Sequence, residues 1–493
     1  MYLYSQLISL IVCFLLIPWS AYALFDDNKD SENVAIAVIG GGISGTSCSY
    51  FLPKVFGDGV SVTLFEPNEI GGRMATVELA NRFYESGGSV LHEKNVYMDD
   101  FLDQFDLKKA DSPDLRMGIY NGKEFVYEEG SSEILNILKL LWRYKLDFIY
   151  LNSEINKMID SFSSIYDIQS IGYSFSTPEL LLAAMDEVFL NYTKMPLADV
   201  LKGFGLSQRL IDELATVATR ENYGQSVNMT AFAGLISLAG VQPGLWSVFN
   251  GNKQVCENLI KVSKATLIKR KVMKVRGNED NSYTLYWNDE ETGKLTSKDF
   301  DIVVVATPLQ DKLSKIDFEN ISPPIHYFKG EYQRTVANFV HGTPNSKYFG
   351  KPTLPDLPEE IMTTVDGKIP IRGLALKIPV DYETGVREDI PYVYKIFTER
   401  PLSDEEINEL FLNVSEVKIV DWLAYPNYST NDKLPPYQLS QNLYYTSGLE
   451  WAASAMEIGA ISGKNVAQLA YQNWIKNVTM IDSYIKSAPK VEL

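Results

Sequence analysis

Histidine and cysteine are both scarce, at three of each in 493 residues. Cys13 lies in an N-terminal apolar run that reads as a removable leader, so the remaining Cys48 and Cys256 allow one disulfide at most and exclude a disulfide framework. His92, His326 and His341 are widely separated, and no metal-ligand spacing or Ser/His/Asp set stands out. Basic residues are also in deficit: 45 Lys and Arg against 63 Asp and Glu give a net charge of −18. Such a surface repels nucleic-acid phosphates and suits an acidic compartment.

Long apolar runs are missing too. Residues 7–19, LISLIVCFLLIPW, are too short to span a bilayer comfortably and precede Ala21-Tyr22-Ala23, a small-x-small cleavage pattern. Residues 1–23 are therefore expected to be a signal peptide, although no Lys or Arg precedes the run; an uncleaved anchor is the alternative. Repeats and low-complexity linkers are absent. With 45% hydrophobic and 22% charged residues, the chain has ordinary globular composition and the length for two domains. Asn-x-Ser/Thr triplets at Asn191, Asn228, Asn413, Asn427 and Asn477 predict N-glycosylation, while Pro323 weakens the triplet at Asn320.

What is present is a nucleotide site. Residues 34–45, VAIAVIGGGISG, read as a buried parallel strand, then a turn through Gly40, Gly42 and Gly45 into a helix. The three glycines serve the tight turn, close approach to a pyrophosphate, and helix–strand packing. A second strand, VSVTLFE, ends at Glu66, where a carboxylate meets ribose hydroxyls. Gly71-Gly72-Arg73 follows, with a guanidinium suited to a pyrophosphate.

This second glycine stretch resembles the GGR signature of FAD-dependent amine oxidases. The resemblance implies an α/β fold: a Rossmann-type FAD-binding domain with an interleaved α+β substrate domain. It also implies non-covalent FAD, with Gly88 near the flavin ring and Val272 at the adenine. Gly448 and Glu450 in the tail segment GLEWAASAMEIGA would serve the ribitol, with the helix from Met456 aimed at the pyrimidine. The FAD-binding domain is expected over 30–115, 245–315 and 435–493, the substrate domain over 116–244 and 316–434. Hairpins are expected at 119–123 and 365–368. Residues 134–151 read as a buried apolar helix of the substrate domain, with a membrane-surface contact or a tunnel wall as alternatives.

The narrower motifs NYGQS (222–226) and GLWSVFNGNK (244–253), with GGSVLH and the tail, resemble prenylcysteine oxidase, also called prenylcysteine lyase. That resemblance implies oxidation of S-farnesyl- or S-geranylgeranyl-cysteine by oxygen to cysteine, a prenyl aldehyde and hydrogen peroxide. It further implies a lysosomal location, with secretion as the alternative. Tyr223, Gln225 and Trp246 are substrate-site candidates, and His92 is a candidate base or water-orienting group. No metal is expected. Two alternatives stand beside this reading: a flavin amine oxidase, and a non-catalytic prenyl-binding protein on the same scaffold.

Overall fold

The computed structural model describes residues 33–484 apart from 290–292, 311 and 365–369. The leader at 1–23 and the hairpin at 365–368 lie outside the described residues. The β-branched run Val34–Ile39 forms the centre of a six-stranded sheet, between Val60–Phe65 and Ile302–Val305. Val38 is in register with Leu64 on one side and Val304 on the other, all fully buried. Thr266–Ile268 extends the sheet beyond Val60–Phe65, and the tail strand Leu443–Tyr445 joins Ile302–Val305. All of these pairings are parallel; only the outermost strand, Gln438–Ser440, runs antiparallel.

The helix Ile43–Phe56 packs on one face of this sheet, with Lys253–Ser263 and the tail helix Met456–Trp474 against it. The small residues Gly459 and Gly463 allow the tail helix to approach Ile43, Ser44 and Cys48 closely. The meander of Val272–Gly277, Tyr283–Asn288 and Leu295–Phe300 covers the other face, where Phe65 packs tilted against Trp287 and edge-on against Phe300. Asp317–Glu319 adds a parallel strand to the meander, so this layer extends past residue 315.

A second, seven-stranded sheet is assembled from distant pieces: Met117–Tyr120 and Phe125–Glu128, then strands between Tyr332 and Pro426. The first two strands form the hairpin expected at 119–123. A helical lobe over 133–239 completes this half. The two sheets interleave along the chain, as the fold class anticipated.

The segment 134–151 departs from the expected buried helix. It forms two helices, Glu133–Tyr144 and the start of Asp147–Ser170, broken where Lys145 takes a left-handed φ of 55°. Its polarity is inverted. Arg143 turns inward to Glu213 at 2.6 Å, and Lys139 reaches the Glu128 carbonyl at 2.8 Å. With Arg143 and Lys139 bonded to protein, Ile134, Leu138, Trp142 and Leu146 stand exposed, Trp142 at 85%. Cys48 and Cys256 are both buried free thiols, so no bridge joins them.

Candidate active site

The strand Val34–Ile39 delivers the glycine turn to the edge of the sheet. Gly40 has φ 119°, and a Cβ there would lie 2.7 Å from the Ala306 carbonyl. A Cβ on Gly45 would lie 2.0 Å from the Gly40 carbonyl. Both positions are fixed by the protein's own packing. Gly42 differs, since its nearest atom in such a test is the Gly71 carbonyl at 3.9 Å. It leaves open space at a helix start that no side chain caps, the kind of helix end that ordinarily receives a phosphate.

Glu66 stands beside that space, 8% exposed, accepting from the Gly41 and Asn68 amides, both at 2.8 Å. The Gly71-Gly72 stretch lies directly on the turn: the Gly71 amide donates to the Gly41 carbonyl at 2.9 Å. Val272 is buried at the start of the meander, opposite Trp287.

The tail returns to this place. After Leu443–Tyr445 the chain turns through Thr446–Trp451, and Glu450 meets Arg73 at 2.5 Å. The same Arg73 nitrogen also donates to the Ala424 carbonyl. The helix Met456–Trp474 begins at Ala455 without a side-chain cap. Met456 lies against Gly88, where a Cβ would stand 3.3 Å from its Cγ and Sδ. Gly448 serves packing, with a Cβ there lying 2.5 Å from the Pro435 carbonyl.

Several groups here carry no signal in the sequence. Asn252 donates its side-chain amide to the Gly88 carbonyl at 2.8 Å and its backbone amide to Glu85 at 2.6 Å, fixing the Glu85–Gly88 stretch. Tyr332, Tyr428 and Trp451 each bury a polar atom that lies near Glu450, the Ser454 backbone and Tyr445 respectively without meeting them in full hydrogen-bond geometry. Burial, then the Glu450 charge beside it, raises the Tyr332 hydroxyl well above its ordinary value, so it stays a neutral donor. Poorly satisfied buried donors beside Glu450, with an uncapped helix start and open space at Gly42, fit a long polar cofactor.

The other expected residues have definite places. Tyr223 donates to the Ser454 carbonyl at 2.7 Å and packs edge-on against Tyr425 and Tyr428. Gln225 spends its amide on the backbone at Pro426 and Tyr428, at 3.0 and 2.9 Å, and so holds that segment. Trp246 is bonded through its backbone to Leu91 and through its indole to the His92 carbonyl at 3.3 Å. His92 Nδ1 accepts the Lys94 amide at 3.1 Å, within the turn before Val96–Phe105. Glu457 accepts the Tyr97 and Met98 amides and caps that helix. Among the described residues, no cluster of His, Cys, Asp and Glu could hold a metal.

This architecture defines an FAD enzyme fold of the amine-oxidase type. Solved structures share it: cyclohexylamine oxidase from Brevibacterium oxydans (TM-score 0.58, 16% identity, 90% of this chain and 100% of that one) and a putative protoporphyrinogen oxidase from Exiguobacterium (TM-score 0.56, 17% identity, 89% and 98%). Residues 38–105 match the NAD(P)-binding Rossmann-like domain, and residues 127–483 match prenylcysteine lyase. Bovine prenylcysteine oxidase 1 is 38% identical over 460 residues, covering 91% of this chain and 90% of its own length. Mouse prenylcysteine oxidase 1-like is 38% identical over 461 residues, covering 92% and 93%. The chain belongs to the prenylcysteine lyase family.

Proposed function

We propose that this protein is an FAD-dependent thioether oxidase that cleaves S-prenyl-L-cysteine to cysteine, a prenyl aldehyde and hydrogen peroxide. The observation that carries the reading is 38% identity to prenylcysteine oxidase 1 along nearly the whole chain, supported by the arrangement of Gly42, Glu66 and the Arg73–Glu450 pair, which offers a place for the cofactor. Gly42 and the amides beyond it would hold the pyrophosphate, Glu66 the adenosine ribose, and Glu450 with Arg73 the ribitol side. FAD, when bound, supplies a hydride acceptor and passes the electrons to oxygen.

The substrate's own structure lowers the barrier. The carbon that loses hydride is both allylic and bonded to sulfur, so the resulting cation is doubly stabilised. Water adds to that carbon, the C–S bond breaks, and the sulfur leaves with a proton as cysteine. One oxygen and one water are consumed for each thiol, aldehyde and peroxide formed. The protein's task is to orient the thioether and admit water to the reacting carbon. Tyr223, Tyr425 and Tyr428 form an aromatic wall beside the Ser454–Met456 segment.

The outward apolar face at Ile134, Leu138, Trp142 and Leu146 supports docking on a lipid surface, where prenylated substrates partition. Asn191, Asn228, Asn413 and Asn427 are exposed and Asn477 is half-buried, which suits glycosylation and a secretory route to the lysosome or outside the cell. Incubation with S-farnesyl-L-cysteine in air tests the reading. Equal yields of thiol, aldehyde and peroxide are expected. Peroxide from simple amines with no thiol released would favour an amine oxidase, and a folded protein that takes up no FAD would favour a prenyl carrier.

A further inference from the structure

The seven-stranded sheet has two different faces. One carries Leu374, Leu376, Tyr394 and Ile396 into a closed apolar core. The other meets the hairpin of Thr76–Leu79 and Arg82–Glu85 through Leu79, Tyr84 and Phe339. Alternation along the strands puts Gly373, Ala375, Lys395 and Phe397 on this second face. Register sets Ala375 beside Lys395 and Glu360 on the far side of Ala375.

This face carries small residues and charges where apolar packing is the rule. Lys395 is 3% exposed; its ammonium lies 3.4 Å from the Glu85 carbonyl and 4.7 Å from the Phe397 ring centroid. Glu221, near the end of the helix Thr216–Tyr223, comes down over Gly373, where a Cβ would stand 2.1 Å from its Oε2. That Oε2 is buried with no partner, and so is Oε2 of Glu85. Burial, with Lys377 adding to it, brings the Lys395 ammonium down to about 7. Burial likewise raises the Glu221 carboxyl.

Carboxylate oxygens left unsatisfied in the interior are costly and need an explanation, and the Lys395 ammonium near them has one long bond, to the Glu85 carbonyl. Here groups of both signs converge over a floor made of Gly373 and Ala375. They adjoin the Glu85–Gly88 stretch, whose far end touches Met456, and Tyr223 two residues past Glu221 is tied to Ser454. A small ligand carrying one cation and one anion would satisfy both signs together.

We propose that Lys395 and Glu221 bind the α-amino-acid head of the thioether substrate, Lys395 receiving its carboxylate and Glu221 its ammonium. The proposal rests on the substrate reading above and assigns it a specificity site. Free cysteine conjugates are then preferred over prenylated peptides, because a peptide bond removes one of the two charges.

Binding of saturated, unreactive thioethers to the FAD-loaded protein tests this by calorimetry. The probes are S-dodecyl-L-cysteine, S-dodecylcysteamine (no carboxylate) and 3-(dodecylthio)propanoic acid (no amine). In the unmodified protein the first should bind at least tenfold more tightly than either other probe. Lys395→Met should weaken S-dodecyl-L-cysteine about tenfold and leave S-dodecylcysteamine unchanged. Glu221→Gln should weaken S-dodecyl-L-cysteine and leave the propanoic acid unchanged. Equal binding of all three probes to the unmodified protein overturns the proposal while the thioether reading stands, and this comparison decides even if a variant fails to fold. A variant that weakens all three probes alike assigns its residue to packing and overturns the proposal for it. Failure of all three to bind would remove the thioether reading itself.

Discussion

Arg73 and Glu450 stand 377 positions apart in the chain and meet at 2.5 Å. Their contact joins the second glycine stretch to the tail. Arg73 keeps 39% of its side-chain surface and Glu450 10%, and the solvent that reaches the arginine limits the pair's contribution to folding to about 1 kcal/mol. Its larger effect falls on cofactor retention. Glu450→Gln should lower bound FAD by about tenfold in affinity, roughly 1.4 kcal/mol, with little change in apoprotein stability. Flavin content after gel filtration, set beside urea denaturation of the apoprotein, measures both.

Gly42 and Gly45 should separate folding from cofactor binding. A Cβ at Gly45 would collide with the Gly40 carbonyl, so Gly45→Ala should give little folded protein. A Cβ at Gly42 meets no protein atom closer than 3.9 Å, so Gly42→Ala should fold normally and lose FAD. Circular dichroism and absorbance near the flavin band distinguish the two variants.

Replacing Leu138, Trp142 and Leu146 with Gln should leave stability within about 0.5 kcal/mol, because these side chains stand in solvent. Binding to liposomes of neutral and anionic lipid should fall sharply, as read by co-sedimentation. Unchanged sedimentation would remove the lipid-docking role.

Stability should rise as the medium turns mildly acidic. Burial raises the Glu85 and Glu457 carboxyls to about 7, so the fold binds protons there that the unfolded chain has released. Stability therefore falls as pH climbs from about 4.5 to 7. Lys395 acts oppositely, and only above pH 7, where the unfolded lysine still holds its proton. Glu406, held at about 2 chiefly by Arg400, destabilises the fold only below the ordinary carboxylate range. Thermal unfolding should show a midpoint a few degrees higher at pH 5 than at pH 7.5.

The parallel strand Val34–Ile39, the glycine turn and Glu66 were legible because each is a local pattern with one physical use, whereas the return of the tail came only through the family resemblance. Such local signals do not extend to long-range partnership. Arg73 looked like a phosphate ligand from its neighbours alone, and nothing local shows that Glu450 reaches it. Tyr332, Asn252, Glu221 and Lys395 were invisible for the same reason, since each matters through a partner on another element. The helix at 134–151 was misread because apolar content does not say which way it faces. Lys139 and Arg143, interspersed in the apolar run, bond to the Glu128 carbonyl and to Glu213 and so anchor the helix to the protein.

The most direct test is an anaerobic absorbance titration of the FAD-loaded protein with S-farnesyl-L-cysteine. The account predicts that the oxidised flavin band bleaches in proportion to substrate and returns on admitting air, with cysteine released. A band that stays oxidised with this thioether, yet bleaches with a simple amine, would contradict it.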